Sequence, residues 1–382
     1  MKNRYRDPLL IQKVTQKIHQ VTESLDRTVR LMEVCGTHTH SIFHFGIRDL
    51  LPEKVELISG PGCPVCVTPM EFIDQAILLS RQPDVIITTF GDLMRVPGKR
   101  GSLLQAKAEG ADVEILYSPL DSLKLARENP EKLVVFLGVG FETTIPLSAL
   151  AIQQAEVEGI RNFKILNAHK IVPPALRALT TQDIRLDGFI LPGHVSAIIG
   201  LKPYHFLAEE FGMPGVVAGF EPLEILLGIL KILEQLSEGR AEIENVYRRV
   251  VCSEGNRRAV EMINKYFVLT ESEWRGLGMI PDSGLMLKDE WKDFDLLTQE
   301  NLDAVKAVQE EMEQLSEYSS QNMDGPCICG LILTGRKIPL DCPSFDKVCT
   351  PESPLGACMV SAEGTCAAYY RYRGRGGRFH VR

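Results

Sequence analysis

Short apolar segments alternate with amphipathic segments along most of the chain. Residues 29–34, 55–59, 84–90, 133–137 and 163–167 have the length and the β-branched content of buried strands. Each is followed by a loop and then by a segment with helical periodicity. Strands and helices that alternate about every 30 residues are typical of right-handed βαβ units and a parallel sheet. The pattern therefore predicts an α/β fold.

The same pattern predicts how the chain is divided. Two parallel-sheet βαβ domains of similar size are expected to face each other across a cleft, because ligand sites often lie between domains. After them periodicity weakens while Gly, Pro and Cys become frequent, which indicates a small C-terminal domain with a metal centre in its core. The predicted segments are an N-terminal helix within residues 1–28 that packs on the C-terminal domain, α/β domains at 29–130 and 131–265, and the C-terminal domain at 266–382.

Composition and charge narrow the class of protein. Apolar residues make up 45% of the 382 residues and charged residues 24%, which is typical of a globular chain. With 42 Lys and Arg against 50 Asp and Glu, the net charge of −8 argues against a general nucleic-acid binder. The longest apolar stretch, residues 225–233, is too short to cross a membrane, and the first ten residues do not resemble a signal peptide. We therefore expect a cytoplasmic protein with no membrane or nucleic-acid partner.

Cysteines are unevenly distributed along the chain. In a chain that keeps its thiols reduced, clustered cysteines indicate metal or redox chemistry rather than structural disulfides. Cys252 stands alone. The others form an N-terminal group and a C-terminal group: Cys35, Cys63 and Cys66, and then Cys327, Cys329, Cys342, Cys349, Cys358 and Cys366.

The first motif, at residues 35–40, lies where a strand ends and a helix begins. A helix N-terminus lowers the pKa of a thiol, so Cys35 is predicted to be a thiolate that binds metal or acts as a nucleophile. His38 lies on the same turn and is a candidate proton carrier, with an ordinary pKa of about 6.5. The structural alternative is a buried, inert cysteine followed by capping threonines.

The second motif is a C-x-x-C sequence, Cys63 to Cys66, which follows the next strand and opens a helix. Two such thiols can hold one metal ion or cycle between dithiol and disulfide. Together with Cys35 they would place three thiolates at one sheet edge, a soft site suited to iron or zinc. Half of a structural zinc site is the alternative.

The C-terminal cysteines can supply the four thiolates of a [4Fe–4S] cluster. Their spacing is long and irregular, unlike that of a zinc ribbon, although structural zinc stays open as an alternative. Three further motifs follow predicted strands. Residues 138–144, 169–170 and 192–196 are each more often structural than catalytic, but together they favour a site in the predicted cleft.

Several long motifs in one order resemble those of the HypD family, which acts in the maturation of [NiFe]-hydrogenase. The resemblance extends along nearly the whole chain. It is carried by residues 35–38, 60–66, 140–144, 192–196 and 359–370.

The resemblance implies a function and a set of site residues. It implies a scaffold that assembles the Fe(CN)2CO part of the hydrogenase active site with a small chaperone, HypC, and accepts cyanide from HypE. Cys35 would hold the iron, and Cys63 and Cys66 would be a redox pair or further iron ligands. The ligands of the [4Fe–4S] cluster are predicted to be Cys329, Cys342, Cys349 and Cys366.

Two other functional classes remain open from the sequence. One is a cluster-dependent disulfide reductase that resembles ferredoxin–thioredoxin reductase. The other is a zinc-bound interaction module without redox chemistry.

Overall fold

The computed structural model describes residues 4–299, 302–319 and 327–372. Its strands are β1 Val29–Glu33, β2 Val55–Ser59, β3 Val85–Thr89, β4 Val113–Ile115, β5 Leu133–Gly138, β6 Phe163–Asn167, β7 Gly188–Pro192, β8 Gly215–Ala218, β9 Ile243–Asn245, β10 Phe267–Trp274 and β11 Gly278–Leu287.

The α-helices are α1 Pro8–Glu23, α2 Gly36–His44, α3 Ile47–Leu50, α4 Pro64–Val67, α5 Met70–Ser80, α6 Leu103–Ala108, α7 Asp121–Glu128, α8 Ile145–Glu158, α9 Val172–Thr180, α10 Gly193–Ile199, α11 Phe206–Glu209, α12 Pro222–Ser237, α13 Arg257–Tyr266, α14 Asp303–Ser319, α15 Cys329–Leu333, α16 Ala357–Val360 and α17 Thr365–Tyr372. Short 3-10 helices lie at Arg4–Arg6, Gly91–Leu93, Lys202–Tyr204, Asp289–Phe294, Leu296–Thr298 and Pro339–Asp341.

Two parallel sheets form the centre of the molecule and confirm the predicted α/β fold. In what we call sheet A the strand order is β2-β1-β7-β8-β9, and in sheet B it is β4-β3-β5-β6. Helices connect successive strands, and the buried strands are rich in Val, Ile and Leu, as expected where both faces of a parallel sheet are covered.

The two sheets do not follow the chain in order. After β2 the chain leaves sheet A, completes sheet B, and returns at β7, which pairs with β1 through Leu31 and Gly188. The boundary predicted at residue 130 falls between β4 and β5, which belong to the same sheet. The sequence pattern identified the strands but carried no information on which of them pair.

The N-terminal helix α1 begins with the side chain of Asp7 accepting hydrogen bonds from the backbone amides of Leu9 and Leu10. It packs chiefly against α12, and its buried residue Ile18 belongs to the apolar core of sheet A. The expectation that this helix packs on the C-terminal domain is therefore not met. Its apolar side chains match those of α12, which covers one face of β7 and β8.

The C-terminal part contains a feature absent from the prediction. Strands β10 and β11 form an antiparallel hairpin, with Phe267 paired to Leu287. Phe267 and Trp274, at the two ends of β10, are buried, while most residues between them are exposed or half-buried. Beyond the hairpin the cysteine-rich residues 327–372 form short helices and turns. Among the described residues, no helix combines the length and apolar character needed to cross a membrane.

Neighbouring parallel strands bring the two N-terminal cysteine motifs together. Strand β1 leads to Cys35 and the adjacent β2 leads to Cys63. The loops after these strands touch, because the amide of Gly36 donates to the carbonyl of Gly62 at 2.9 Å. A Cβ atom on Gly62 would lie 2.3 Å from the backbone nitrogen of Cys35, so only glycine allows this approach.

Candidate functional site

Cys35 is the N-cap residue of α2, as its position at a strand end predicted. Its side chain is buried, with 8% of its surface exposed. Burial, and then the nearby carboxyl of Glu363, raise the pKa of the Cys35 thiol to about 12. The predicted thiolate is therefore wrong for this environment, because loss of hydration outweighs the effect of the helix N-terminus.

Carboxyl groups surround Cys35. Glu363 accepts a hydrogen bond from Thr37 Oγ1 at 2.6 Å, and its backbone lies against Gly36. Glu33 is fully buried beneath the same turn and accepts from the amide of Cys35 at 3.3 Å and from Thr39 Oγ1 at 2.5 Å. Burial raises the pKa of Glu33 to about 8, so this carboxyl is largely protonated at neutral pH. Such surroundings disfavour a free thiolate and favour a bound cation.

His38 lies on the first turn of α2 and is completely buried. Its Nε2 atom lies 3.0 Å from the carbonyl of Gly219 and 3.2 Å from that of Ala218, so Nε2 carries the hydrogen. Burial lowers the pKa of His38 to about 4, which corrects the predicted value near 6.5. The Nδ1 atom is buried and has no hydrogen-bond partner among the described residues, so it presents a free lone pair.

The C-x-x-C motif forms the short helix α4. Cys63 is its N-cap, and the amide of Cys66 donates to Cys63 Sγ at 3.3 Å. Cys66 is completely buried, and burial raises the pKa of its thiol. The Cys66 thiol interacts with Cys63 on one side and with Cys358 of the C-terminal part on the other.

A continuous row of thiols leads from α4 into the C-terminal part. Cys358 Sγ lies 2.7 Å from Cys329 Sγ, and Cys329 interacts in turn with Cys327. We call Cys63, Cys66, Cys358, Cys329 and Cys327 the sulfur row. The sequence did not reveal this row, because its members come from separate turns distant along the chain.

The inner end of the sulfur row opens into a small cavity. Apolar side chains, including Ile332 and Phe345, complete its wall. The predicted ligands all line it, and so do the two remaining C-terminal cysteines, so that the full set is Cys327, Cys329, Cys342, Cys349, Cys358 and Cys366. All ten cysteines of the chain are free thiols.

The chemistry of this cavity fits an iron–sulfur cluster, since its polar groups are thiols and such clusters are held by cysteine. A second observation concerns Arg275, whose charge acts on Cys327 and Cys329. Its Nε donates to the carbonyl of Thr68 at 2.9 Å, whereas its buried Nη2 has no acceptor within the described parts of the chain. A buried donor of this kind suits the negative charge of a cluster bound by thiolates.

A site for a single metal ion is not formed in advance. Within residues 4–299, 302–319 and 327–372, no three His, Cys, Asp or Glu side chains converge as ligands of one ion. The set of Cys35, Cys63 and Cys66 as iron ligands stays a prediction; Cys66 is directed to Cys358, while Cys35 lies among carboxyls.

One functional candidate was missed in the loop after β5. Glu142 is buried, and its Oε1 accepts from the amide of Val172 at 3.0 Å, while Oε2 has no partner in the described structure. Burial raises the pKa of Glu142 to about 7. Burial raises the pKa of the Tyr204 phenol, which lies within electrostatic range of both Glu142 and Cys35. In the sequence, the only indication of this group was a single acidic residue in a strand-end loop. The glycines around it led to a structural interpretation of the motif.

The side chains of two other predicted motifs make structural contacts. His169 lies between Asn167 Oδ1 at 2.6 Å and Ser148 Oγ at 3.2 Å. Lys170 donates to Ser272 Oγ at 2.8 Å and thereby ties sheet B to the β10–β11 hairpin. His194 stacks on Phe220, with ring centroids 4.1 Å apart.

The fold and the site define a two-sheet α/β protein in which cysteines at strand ends connect to a cysteine-lined C-terminal cavity. The HypD family model, described as the hydrogenase formation hypA family, matches residues 9–373. The chain belongs to the HypD family of hydrogenase maturation factors, which confirms the resemblance seen in the sequence motifs.

Individual relatives agree with this assignment. The chain is 48% identical over 380 residues to the hydrogenase maturation factor HypD of Rhodobacter capsulatus, covering 97% of each chain. It is 46% identical over 365 residues to HypD of Escherichia coli, covering 95% of this chain and 94% of the relative. It is also 43% identical over 367 residues to a putative hydrogenase expression/formation protein of Methanocaldococcus jannaschii, covering 96% and 98%.

Proposed function

We propose that this chain is a cytoplasmic scaffold on which the Fe(CN)2CO part of the [NiFe]-hydrogenase site is assembled together with a small HypC-type chaperone. A HypE-type donor would supply cyanide. The observation that carries the proposal is the adjacency of two unlike thiol sites. Cys35 lies among carboxyls, and the neighbouring strand leads to a sulfur row that ends in a cavity lined by six cysteines.

The surroundings of Cys35 suit an anchor for the iron cargo. The raised pKa of its thiol keeps the sulfur protonated in the free protein, and a bound cation would displace that proton. The carboxylate of Glu363 would offset part of the charge of the incoming iron. His38 offers an unpartnered Nδ1 one turn along α2 as a candidate ligand, whereas its lowered pKa makes it a weak acceptor for the displaced proton.

Cys63 and Cys66 fit the role of a two-electron donor. Cleavage of a thiocyanate on a protein sulfur consumes two electrons and one proton, and yields a thiol and cyanide. Oxidation of the Cys63–Cys66 dithiol to a disulfide releases two electrons and two protons, so the coupled reaction is balanced with one proton left over. The two residues are the N-cap and third residue of the same helical turn, a spacing common in redox pairs.

Four of the cysteines in the cavity would hold a [4Fe–4S] cluster, which supplies one-electron transfer when bound. Cys342, Cys349 and Cys366 remain predicted ligands. For the fourth, the 2.7 Å contact of Cys329 with Cys358 favours pairing of these two thiols, which would leave Cys327 as the ligand in place of the predicted Cys329. Iron content of Cys327→Ala and Cys329→Ala variants distinguishes the two, because loss of the true ligand removes more iron.

A second candidate function is supported by the sulfur row alone. Thiols in sequence between a cluster cavity and a C-x-x-C motif also suit a protein disulfide reductase. Such an enzyme would reduce disulfides of partner proteins and would need no iron cargo at Cys35.

The decisive experiment is copurification of the chain with a HypC-type chaperone, followed by infrared spectroscopy. The proposal expects cyanide and CO bands from the wild type and from Cys252→Ala, whose thiol is exposed and does not line the cysteine cavity. It expects their loss from Cys35→Ala. Bands of full intensity in Cys35→Ala would exclude Cys35 as the anchor, and disulfide reductase activity without any such bands would favour the second candidate.

A further inference from the structure

A second, larger cavity lies between sheet A and the cysteine-rich part. Its volume is about 660 Å³, which is within the range of small-molecule sites. One wall is formed by β2 along its whole length, and the opposite wall by residues 335–339. The side chain of Tyr369 on α17 also lines it. Thr365 and Tyr369 belong to the motif at residues 359–370, and the other lining residues lie outside the motifs that led to the proposed function.

Positive charge is concentrated in this cavity although the chain as a whole carries a net charge of −8. Basic side chains from both sheet A and the cysteine-rich part converge there. Its charged lining residues are Arg30, Arg48, Arg185, Arg336 and Lys337 against Glu56 and Asp341.

Some of these charges are already compensated and others are not. Arg30 pairs with Glu56 at 3.3 Å, and Arg185 lies 3.8 Å from Asp187. Arg336 and Lys337 are exposed, and neither forms an ion pair with any residue of the described chain. The cavity therefore keeps an excess of positive charge on the wall that belongs to the cysteine-rich part.

The guanidinium of Arg48, which lines the cavity, is fixed by contacts with its neighbours. Its guanidinium lies over the rings of Phe43 and Tyr369, at 4.9 and 5.9 Å from their centroids. Its Nη1 donates to the carbonyl of Leu57 at 2.8 Å, which fixes the plane of the group. Its Nε atom is buried and finds no acceptor in the described structure. A guanidinium fixed in this way at the cavity wall is suited to an anion.

A ligand in this cavity would touch both halves of the protein. Ile332 lines both this cavity and the cysteine cavity, so the two cavities are neighbours. Arg30 and the edge strand β2 belong to sheet A and Arg48 lies on α3, whereas Arg336 and Lys337 follow α15. An anion bound between them would tie α15, which begins at Cys329, to sheet A.

We propose that this basic cavity binds a small multivalent anion, with two or more phosphate or carboxylate groups that bridge sheet A and the cysteine-rich part. More than one anionic group is needed because the uncompensated cations and the free donor of Arg48 lie on different walls. The inference is independent of the hydrogenase-maturation proposal, since it uses neither Cys35 nor the sulfur row.

The test is titration calorimetry of the full-length protein at low ionic strength with pyrophosphate and, separately, with citrate. We expect saturable binding of at least one, and binding at least tenfold weaker in the Arg336→Gln/Lys337→Gln double variant. Both side chains are exposed, so the double variant should fold. Lys347→Gln is the matched control, because Lys347 is an exposed cation of the same part that does not line the cavity. It should bind like the wild type.

A third variant tests the geometry. Arg48→Lys keeps the charge but removes the Nε donor and the planar fork, so we expect weaker binding of the same anion. Binding of pyrophosphate alone assigns phosphate chemistry to the site, and binding of citrate alone assigns carboxylate chemistry. The proposal is overturned if neither anion binds, or if the double variant binds as tightly as the wild type and the Lys347→Gln control.

Discussion

Cys35 and Cys66 occupy comparable positions but have unlike surroundings. Each follows a strand of sheet A, each lies at or near the start of a helix, and both are buried. The neighbours of Cys35 are the carboxyls of Glu363 and Glu33, whereas those of Cys66 are the sulfurs of Cys63 and Cys358. The backbone setting is thus shared, and the neighbouring side chains determine whether the thiol suits a cation or sulfur-based redox chemistry.

The position of a thiol at a helix N-terminus does not by itself determine its pKa. A helix N-terminus contributes about 0.3–1 kcal/mol to a nearby negative charge, and α4 is a single turn. Full burial can move a pKa by about 3–5 units, equivalent to several kcal/mol. Desolvation therefore dominates at both cysteines and raises both pKa values.

The largest effect is expected at the cysteine cavity. Cys349→Ser removes a predicted thiolate of a four-thiolate cluster, so iron per chain and absorbance near 400 nm should fall to a small fraction of the wild-type values. Cys252→Ser should leave both unchanged, because Cys252 is exposed and lies outside the cavity. If Cys349→Ser retained full iron and absorbance, the cavity would not be the cluster site and the contrast with Cys35 would disappear.

The next prediction concerns Glu142, the buried carboxyl that, like Cys35, lies within electrostatic range of Tyr204. Its pKa is raised from 4.5 to about 7, so folding favours the protonated form. The stability that this preference confers is fully present below pH 4.5 and is lost as pH rises through 7. We expect Glu142→Gln to remove a pH dependence of about 3 kcal/mol between pH 4.5 and 8.5.

The measurement for Glu142→Gln is the free energy of unfolding in denaturant at several pH values. The free energy of unfolding of the variant should increase relative to that of the wild type as pH rises. The amide oxygen of the variant can still accept the hydrogen bond from the amide of Val172. Glu156→Gln, at an exposed position on α8, should follow the wild type. Parallel pH profiles for Glu142→Gln and the wild type would show that Glu142 is charged in the folded protein.

A smaller effect should follow from Glu363→Gln, which tests whether carboxyls distinguish Cys35 from Cys66. The negative charge of Glu363 raises the pKa of Cys35, so its removal should lower that pKa and speed alkylation of Cys35 severalfold at pH 8. The rate at Cys66 should not change. Peptide-resolved mass spectrometry after iodoacetamide treatment gives both rates, and Glu352→Gln is an exposed control in the same part. An unchanged rate at Cys35 would leave burial as the sole cause of its raised pKa.

The sequence predicts local features of the fold and site but not contacts between distant segments. Val55–Ser59 and Phe163–Asn167 were predicted with their bounds, because β-branched runs bounded by Gly or Asn are local signals. The pairing of β1 with β7 was not predicted, because the strands of both sheets have the same apolar pattern. Local sequence likewise placed Cys35 at a helix start, but Glu363 reaches it from the far end of the chain. Long-range contacts of this kind have no local signal.

Arg275 provides the prediction with the smallest expected effect. It places a positive charge beside thiols of the sulfur row, whereas the neighbours of Cys35 are carboxyls. Its guanidinium lowers the pKa of Cys327 and of Cys329, although thiol contacts and burial dominate at both. Arg275→Gln should therefore slow alkylation of these two thiols in the cluster-free protein by about two- to threefold, corresponding to less than 1 kcal/mol. Arg275→Lys keeps the charge and should restore most of the rate. Equal rates in all three proteins would mean that the buried guanidinium only ties the hairpin to Thr68, whose carbonyl it contacts at 2.9 Å.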